Sequence, residues 1–155
     1  MTNCRSLCHV CVVAVLLSFG PWSQATFSQE TSTTQVPIPG VENVRKVAPQ
    51  WLSGSQPEGE AAFQELARRG VKVIISVDGA APDVELAHKF GLRYVHIPIG
   101  YDQIKPQSRA DLVEATKPEN GLVYLHCHHG RHRGPAAAGY CGMAHGQLNT
   151  DQALN

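Results

Sequence analysis

Residues 71–77, Val-Lys-Val-Ile-Ile-Ser-Val, constrain the fold more than any other run in the chain. Apart from Lys72 and Ser76, every residue is apolar and β-branched, which is too uniform for a strand with one wet face. The run predicts a strand covered on both sides, and such strands sit in sheets flanked by helices. The flanking sequence supplies those helices. Residues 57–69 open on Pro57, Glu58 and Glu60 and close on Arg68 and Arg69, with Gly70 to stop them. That order suits a helix macrodipole, and Phe63, Leu66 and Ala67 give it one apolar face. A second helix runs from Pro82 to Lys89, with Asp83 and Glu85 early and His88 late.

The rest of the chain repeats the alternation. Residues 44–47 and 50–53 are short extended segments ended by Gly54 and Pro57, and residues 92–97 are another strand. After a loop from Pro98 to Pro106, Ser108 and Asp111 form a capping-box-like start for a helix carrying Leu112 and Val113. Asn120-Gly121 turns the chain into the apolar run of residues 121–125, and Gly134-Pro135 opens a helix of small residues reaching Ala144. Strands alternating with helices predict an α/β fold: a parallel-centred sheet flanked by helices. Ligands of such sheets bind beyond the carboxyl ends of the strands.

With 155 residues, 43% of them hydrophobic, the chain can build one small domain. Its formal net charge of zero excludes the global field that would draw it to nucleic acid or an anionic membrane. Arg5, the apolar run 10–19, the Gly20-Pro21 break and Ser23-Gln24-Ala25 predict a signal peptide over residues 1–25 and export to the periplasm or beyond. An apolar run this short does not span a bilayer, so a membrane enters only if the segment stays uncleaved. Residues 26–40, rich in Thr, Ser, Gln and Pro, read as a disordered linker, and residues 41–155 as the folded domain. Cys4, Cys8 and Cys11 leave with the signal. Cys127 and Cys141 remain, either as free thiols or as one disulfide.

The chemistry concentrates in His126-Cys127-His128-His129-Gly130-Arg131-His132-Arg133, directly after the 121–125 strand. A thiol at a strand end can attack phosphorus, loop amides and a helix N-terminus can hold oxygens, and a guanidinium can clamp two of them. Gly130 permits close approach, and Arg133 offers a planar fork that lysine lacks. His126 fits either a hydrogen-bonded support for the loop or a satisfied core histidine. Asp102 lies in the loop before the third helix; Asp78, at the end of another strand, is a reserve acid that turn chemistry with Gly79 explains better.

The octapeptide resembles the signature of the protein tyrosine and dual-specificity phosphatase superfamily: histidine, cysteine, five residues, arginine. The resemblance extends from about Val44 to Met143, through Leu52-Ser-Gly-Ser-Gln-Pro57 and Tyr94-Val-His-Ile-Pro98. It implies a two-step reaction without metal or other cofactor, in which Cys127 takes the phosphoryl group and water removes it. It implies that Asp102 protonates the leaving oxygen and that residues 128–133 bind phosphate. It also exposes a departure. The family carries Ser or Thr after the arginine, where a hydroxyl helps the thiolate leave; Gly134 stands there instead. That implies slow release of phosphate from the cysteine, or a phosphate-binding module without turnover. Relatives also continue beyond the loop helix, so Thr150-Asp151 reads as the start of a further helix in a C-terminally truncated chain.

His128, His129, Arg131 and His132 make the loop unusually basic. Gly130-Arg131-His132-Arg133 is similar to the Gly-Lys-His-Arg of atypical dual-specificity phosphatases that act on inositol pyrophosphates. The expected partner is therefore a phosphorylated protein or a polyanionic phosphorylated small molecule. A histidine–cysteine zinc site is the rival reading of the same residues.

Overall fold

A computed structural model describes residues 37–154. The expected signal peptide, and residues 26–36 of the expected linker, lie outside the described residues. Ile38, at the end of that linker, is buried in the core and bridges to Val41, so packing begins ahead of Val41. No helix among the described residues is long and apolar enough to cross a membrane.

Five strands form one sheet: β1 (Arg45–Ala48), β2 (Trp51–Gly54), β3 (Val71–Ser76), β4 (Arg93–His96) and β5 (Leu122–His126). Their order is β1-β2-β5-β3-β4; β1 runs antiparallel to β2, and the other pairings are parallel. The expected parallel-centred α/β sheet is therefore present. β5 occupies its middle, and its Tyr124, Val123 and Leu125 are fully buried.

Helices α1 (Gly59–Arg68), α2 (Val84–Lys89), α3 (Pro106–Ala115), α4 (Arg133–Ala144) and α5 (Thr150–Leu154) complete the fold, with a 3-10 turn at Pro118–Asn120. Two cores result. Phe63, Leu66 and Ala87 of α1 and α2 pack with Leu52, Ile74 and Tyr124. Leu112, Ala137, Ala138 and Cys141 of α3 and α4 pack with Trp51, Ile75, Leu125 and Cys127. Leu52 and Trp51 are neighbours in sequence and face opposite cores, as strand alternation requires.

Helix starts differ from the sequence reading. α1 begins at Gly59, whose φ of +70° breaks any continuous helix from Pro57. α2 begins after Asp83, whose carboxylate accepts from the Leu86 amide at 3.2 Å, leaving Pro82 outside. α3 starts at Pro106 and not at Ser108: proline suits the first position because that amide needs no partner. α4 starts at Arg133, and Pro135 falls within its first turn, where a missing N–H also costs nothing. The expected start at Thr150 is α5, capped by Asn149 Oδ1, which accepts from Gln152 N at 2.9 Å.

Candidate active site

Gly54, Ser76, His96 and His126 end their strands in register with one another. The segments leaving those ends therefore share one edge of the sheet. They carry Ser55, Asp78, the Ile97–Ile104 loop and the loop from Cys127 to His132.

Cys127 is buried, 4% exposed, and its thiol is free. Gly130 sits in the left-handed region at φ +66°, and a Cβ there would run into the backbone of Gly54 and Ser55. Only glycine lets the loop lie this close to β2. The backbone on the β2 side holds the loop in turn: Gln56 N donates to His128 O at 3.1 Å, and Asn43 Nδ2 to His129 O at 2.9 Å. Ser55 is itself anchored, since Glu42 N donates to its Oγ at 2.7 Å and Tyr124 Oη to its carbonyl at 2.5 Å.

His126 is a core histidine that also supports the loop. Its Nε2 lies 2.6 Å from Tyr94 Oη, and its ring stacks on Tyr124. Burial drives its pKa down to about 4, against an upward pull from the Cys127 backbone and Asp78. The imidazole is therefore neutral at physiological pH.

Arg133 opens α4 and turns toward Asp78, with Nη2 2.5 Å from Oδ1 and both side chains largely buried. Burial alone would raise the Asp78 pKa; the Gly79 amide and the Arg133 guanidinium outweigh it and hold the carboxyl below its ordinary range. Arg133 Nη1 approaches Ile99 O at 3.5 Å, while its Nε is buried with no hydrogen-bond partner among the described residues. The guanidinium lies 4.5 Å from the ring centroid of Tyr101, itself exposed, a cation–π distance. A cavity of about 280 Å³ joins Ile99, Tyr101, Asp102 and Ile104 to His132 and Arg133.

Asp102 is exposed on that cavity's rim. His132 is exposed beside it, and His128, His129 and Arg131 are exposed on the rest of the loop, the two histidine rings 4.3 Å apart. Gly134 is buried at the base, where a Cβ would sit 3.2 Å from Cys127 N and 3.2 Å from Ser53 Oγ. Among the described residues, no three His, Cys, Asp or Glu side chains converge as metal ligands would. Cys141 is also free and fully buried, and burial pushes its thiol up to about 11.

Four residues of this arrangement escaped the sequence reading: Ser53, Tyr94, Tyr101 and Asn43. Ser53 and Tyr94 lay within segments that carried the resemblance, but neither was given a role, and Asn43 and Tyr101 carried no signal. Asp78 was noticed, but as a spare acid and not as the partner of Arg133.

No protein-family model and no curated protein matches the sequence. Solved structures do. A DUF442 phosphatase from Shewanella putrefaciens CN-32 is 28% identical, covers 74% of this chain and 77% of its own, and superposes with a TM-score of 0.62. A cysteine-to-serine variant of P. aeruginosa TpbA, in complex with pTyr, is 18% identical over 82% and 78% of the two chains, with a TM-score of 0.66. The core catalytic domain of the PP-IP phosphatase SIW14 from S. cerevisiae, in complex with citrate, is 18% identical over 78% and 85%, with a TM-score of 0.57. The fold is that of the cysteine-dependent tyrosine and dual-specificity phosphatases, and this chain carries their His-Cys-x5-Arg signature on it.

Proposed function

We propose that the chain hydrolyses phosphate monoesters through a phosphocysteine on Cys127. The observation that supports it is a buried free thiol at the carboxyl end of the central strand, with, at the head of the helix that follows its loop, a guanidinium whose Nε has no hydrogen-bond partner among the described residues. In the first step Cys127 Sγ attacks phosphorus while Arg133 and the loop amides of residues 128–133 hold the non-bridging oxygens. The P–O bond breaks, and Asp102 gives its proton to the departing oxygen. Water then displaces the cysteine. Asp78, bound by Arg133 and the Gly79 amide, stays ionised and orients the guanidinium.

The substrate in this reading is a phosphoprotein or a polyanionic phosphorylated small molecule. Tyr101, Ile99 and Ile104 line the cavity and would accept an aryl group, and TpbA, of the same fold, is seen in complex with pTyr. The exposed basic residues His128, His129, Arg131 and His132 would instead favour a polyanion. A panel of phosphotyrosine peptides, phosphoinositides and inositol phosphates ranks the two. We further propose that residues 1–25 direct export, so that the reaction occurs outside the cytoplasm.

The deciding assay is hydrolysis of p-nitrophenyl phosphate with chelator present. Turnover should disappear in Cys127→Ser; turnover that survives the substitution would exclude the cysteine mechanism. A second reading, phosphate binding without turnover, is favoured by Gly134, and a parent protein that forms phosphocysteine but never releases phosphate would establish it.

A further inference from the structure

Ser53 places a hydroxyl in the apolar layer beneath α4; unlike Thr116, whose hydroxyl is hydrogen-bonded to Leu112 O and His145, it has no such partner among the described residues. It lies two residues after Trp51 on β2, so strand alternation gives it the same face, and its backbone pairs with Leu125. It is fully buried, and its Oγ has no hydrogen-bond partner among the described residues. A buried hydroxyl without a partner is unfavourable. What lies open beside it is the base of the phosphate loop. A Cβ built on Gly134 would be 3.2 Å from Ser53 Oγ and 3.2 Å from Cys127 N, so the hydroxyl and the cysteine backbone both border the space that the glycine leaves unfilled.

The second half of the proposed reaction needs a donor there. When water attacks the phosphocysteine, the new P–O bond forms as the P–S bond breaks. The bonding pair returns to Sγ, and the water's proton goes to the Asp102 carboxylate left by the first step. Sulfur acquires a full negative charge inside a layer that is largely apolar. A neutral O–H directed at it would stabilise that charge without taking part in the bond changes, and Gly134 brings no side chain to do so.

We propose that Ser53 donates its hydroxyl hydrogen bond to Cys127 Sγ as phosphate leaves, from β2, in place of the side chain that Gly134 lacks. The proposal rests on the phosphocysteine reading above. A Cβ at position 134 would come within 3.2 Å of both the Ser53 hydroxyl and the Cys127 amide, so a side chain there crowds the hydroxyl and requires its neighbours to give by a few tenths of an ångström.

The test is rapid-mixing hydrolysis of p-nitrophenyl phosphate by the parent, Ser53→Ala, Gly134→Ser, and Ser53→Ala combined with Gly134→Ser. Ser53→Ala should release the first nitrophenol within about threefold of the parental rate and then slow about tenfold to a hundredfold, the loss of one hydrogen bond to a charged group. A burst of nearly one nitrophenol per enzyme should accompany it. The double variant, which restores a hydroxyl from the other side once the serine is gone, should recover most of the steady rate. Its recovery also separates the chemistry from folding, because a merely structural serine would not be rescued by a change on α4. If both phases of Ser53→Ala match the parent, if both fall together, or if the double variant stays slow while Gly134→Ser alone, which tests whether a side chain at 134 is tolerated, keeps the parental first phase, the role of Ser53 is refuted. Nitrophenol release that persists in Cys127→Ser overturns the phosphatase reading itself, a separate result.

Discussion

Gly130→Ala should destabilise the protein more than any other glycine-to-alanine change on the loop side of the sheet. Two costs add. At φ +66° an alanine Cβ meets the adjacent carbonyl, which costs about 1–2 kcal/mol. That Cβ would also overlap the backbone of Gly54 and Ser55, and inserting a methyl into such a contact costs roughly 1–3 kcal/mol. The obstacle is backbone that cannot yield, because Glu42 and Tyr124 fix Ser55 from two sides. The loop must therefore move, straining Gln56 N to His128 O and Asn43 Nδ2 to His129 O. The sum is about 2–5 kcal/mol. Gly146 provides the control. Its φ is also +66°, yet nothing lies within 4 Å of its added Cβ, so Gly146→Ala measures the backbone cost alone. Urea unfolding of both variants should show Gly130→Ala lower in stability by the overlap cost and unable to bind phosphate. Equal stabilities for the two would refute the close approach of this loop to β2.

Two further expectations concern pH and charge. The His126 pKa of about 4 lies below the ordinary histidine value, so the unfolded chain binds a proton first as pH falls. Stability should drop as pH falls below about 6.5, by on the order of 2–3 kcal/mol at pH 4.5, and level off below about 4. Urea unfolding across that range should show a shallower slope in His126→Asn, and an unchanged slope would refute the buried neutral imidazole. Asp78 behaves in the opposite chemical sense, its carboxyl held below the ordinary range. Its pair with Arg133 stabilises the fold above the unfolded carboxyl pKa and is lost as pH falls through the depressed folded value. Asp78→Asn should cost roughly 1.5–3 kcal/mol at pH 7 and flatten the acid limb of thermal unfolding below about pH 4. Parental stability at pH 7 would show that the pair contributes nothing.

Much of the fold was legible because its signals are local. The β-branched run at residues 71–77 required cover on both faces, and two cores deliver it. The cysteine, glycine and arginine of the loop were legible for the same reason: they lie within seven consecutive positions, Cys127 to Arg133. Boundaries were less so, since Pro57, Pro82 and Pro135 each suit a helix start and only neighbouring geometry decides between them. The supports of the site were hidden by distance along the chain. Asn43 reaches His129 across 86 positions, Asp78 reaches Arg133 across 55, and Tyr94 reaches His126 across 32. Nothing local to Asn43 or Tyr94 announces a partner that far away; the strand order β1-β2-β5-β3-β4 creates those meetings.

That strand order also separates Asp102, the acid the sequence reading named, from Asp78, its reserve. Asp78 leaves β3, the immediate neighbour of β5, and so arrives directly beside Arg133. There the Gly79 amide and the guanidinium both favour its ionised form, and a carboxylate stabilised in that way holds no proton to give near neutrality. Asp102 leaves the loop after β4, one strand farther out, and reaches the cavity rim exposed. In the proposed reaction the acid takes its proton back from the attacking water, which a carboxylate on the cavity rim permits and one held ionised in a buried ion pair does not. The acid role in the proposed reaction therefore falls to Asp102, and Asp78 is left to orient Arg133.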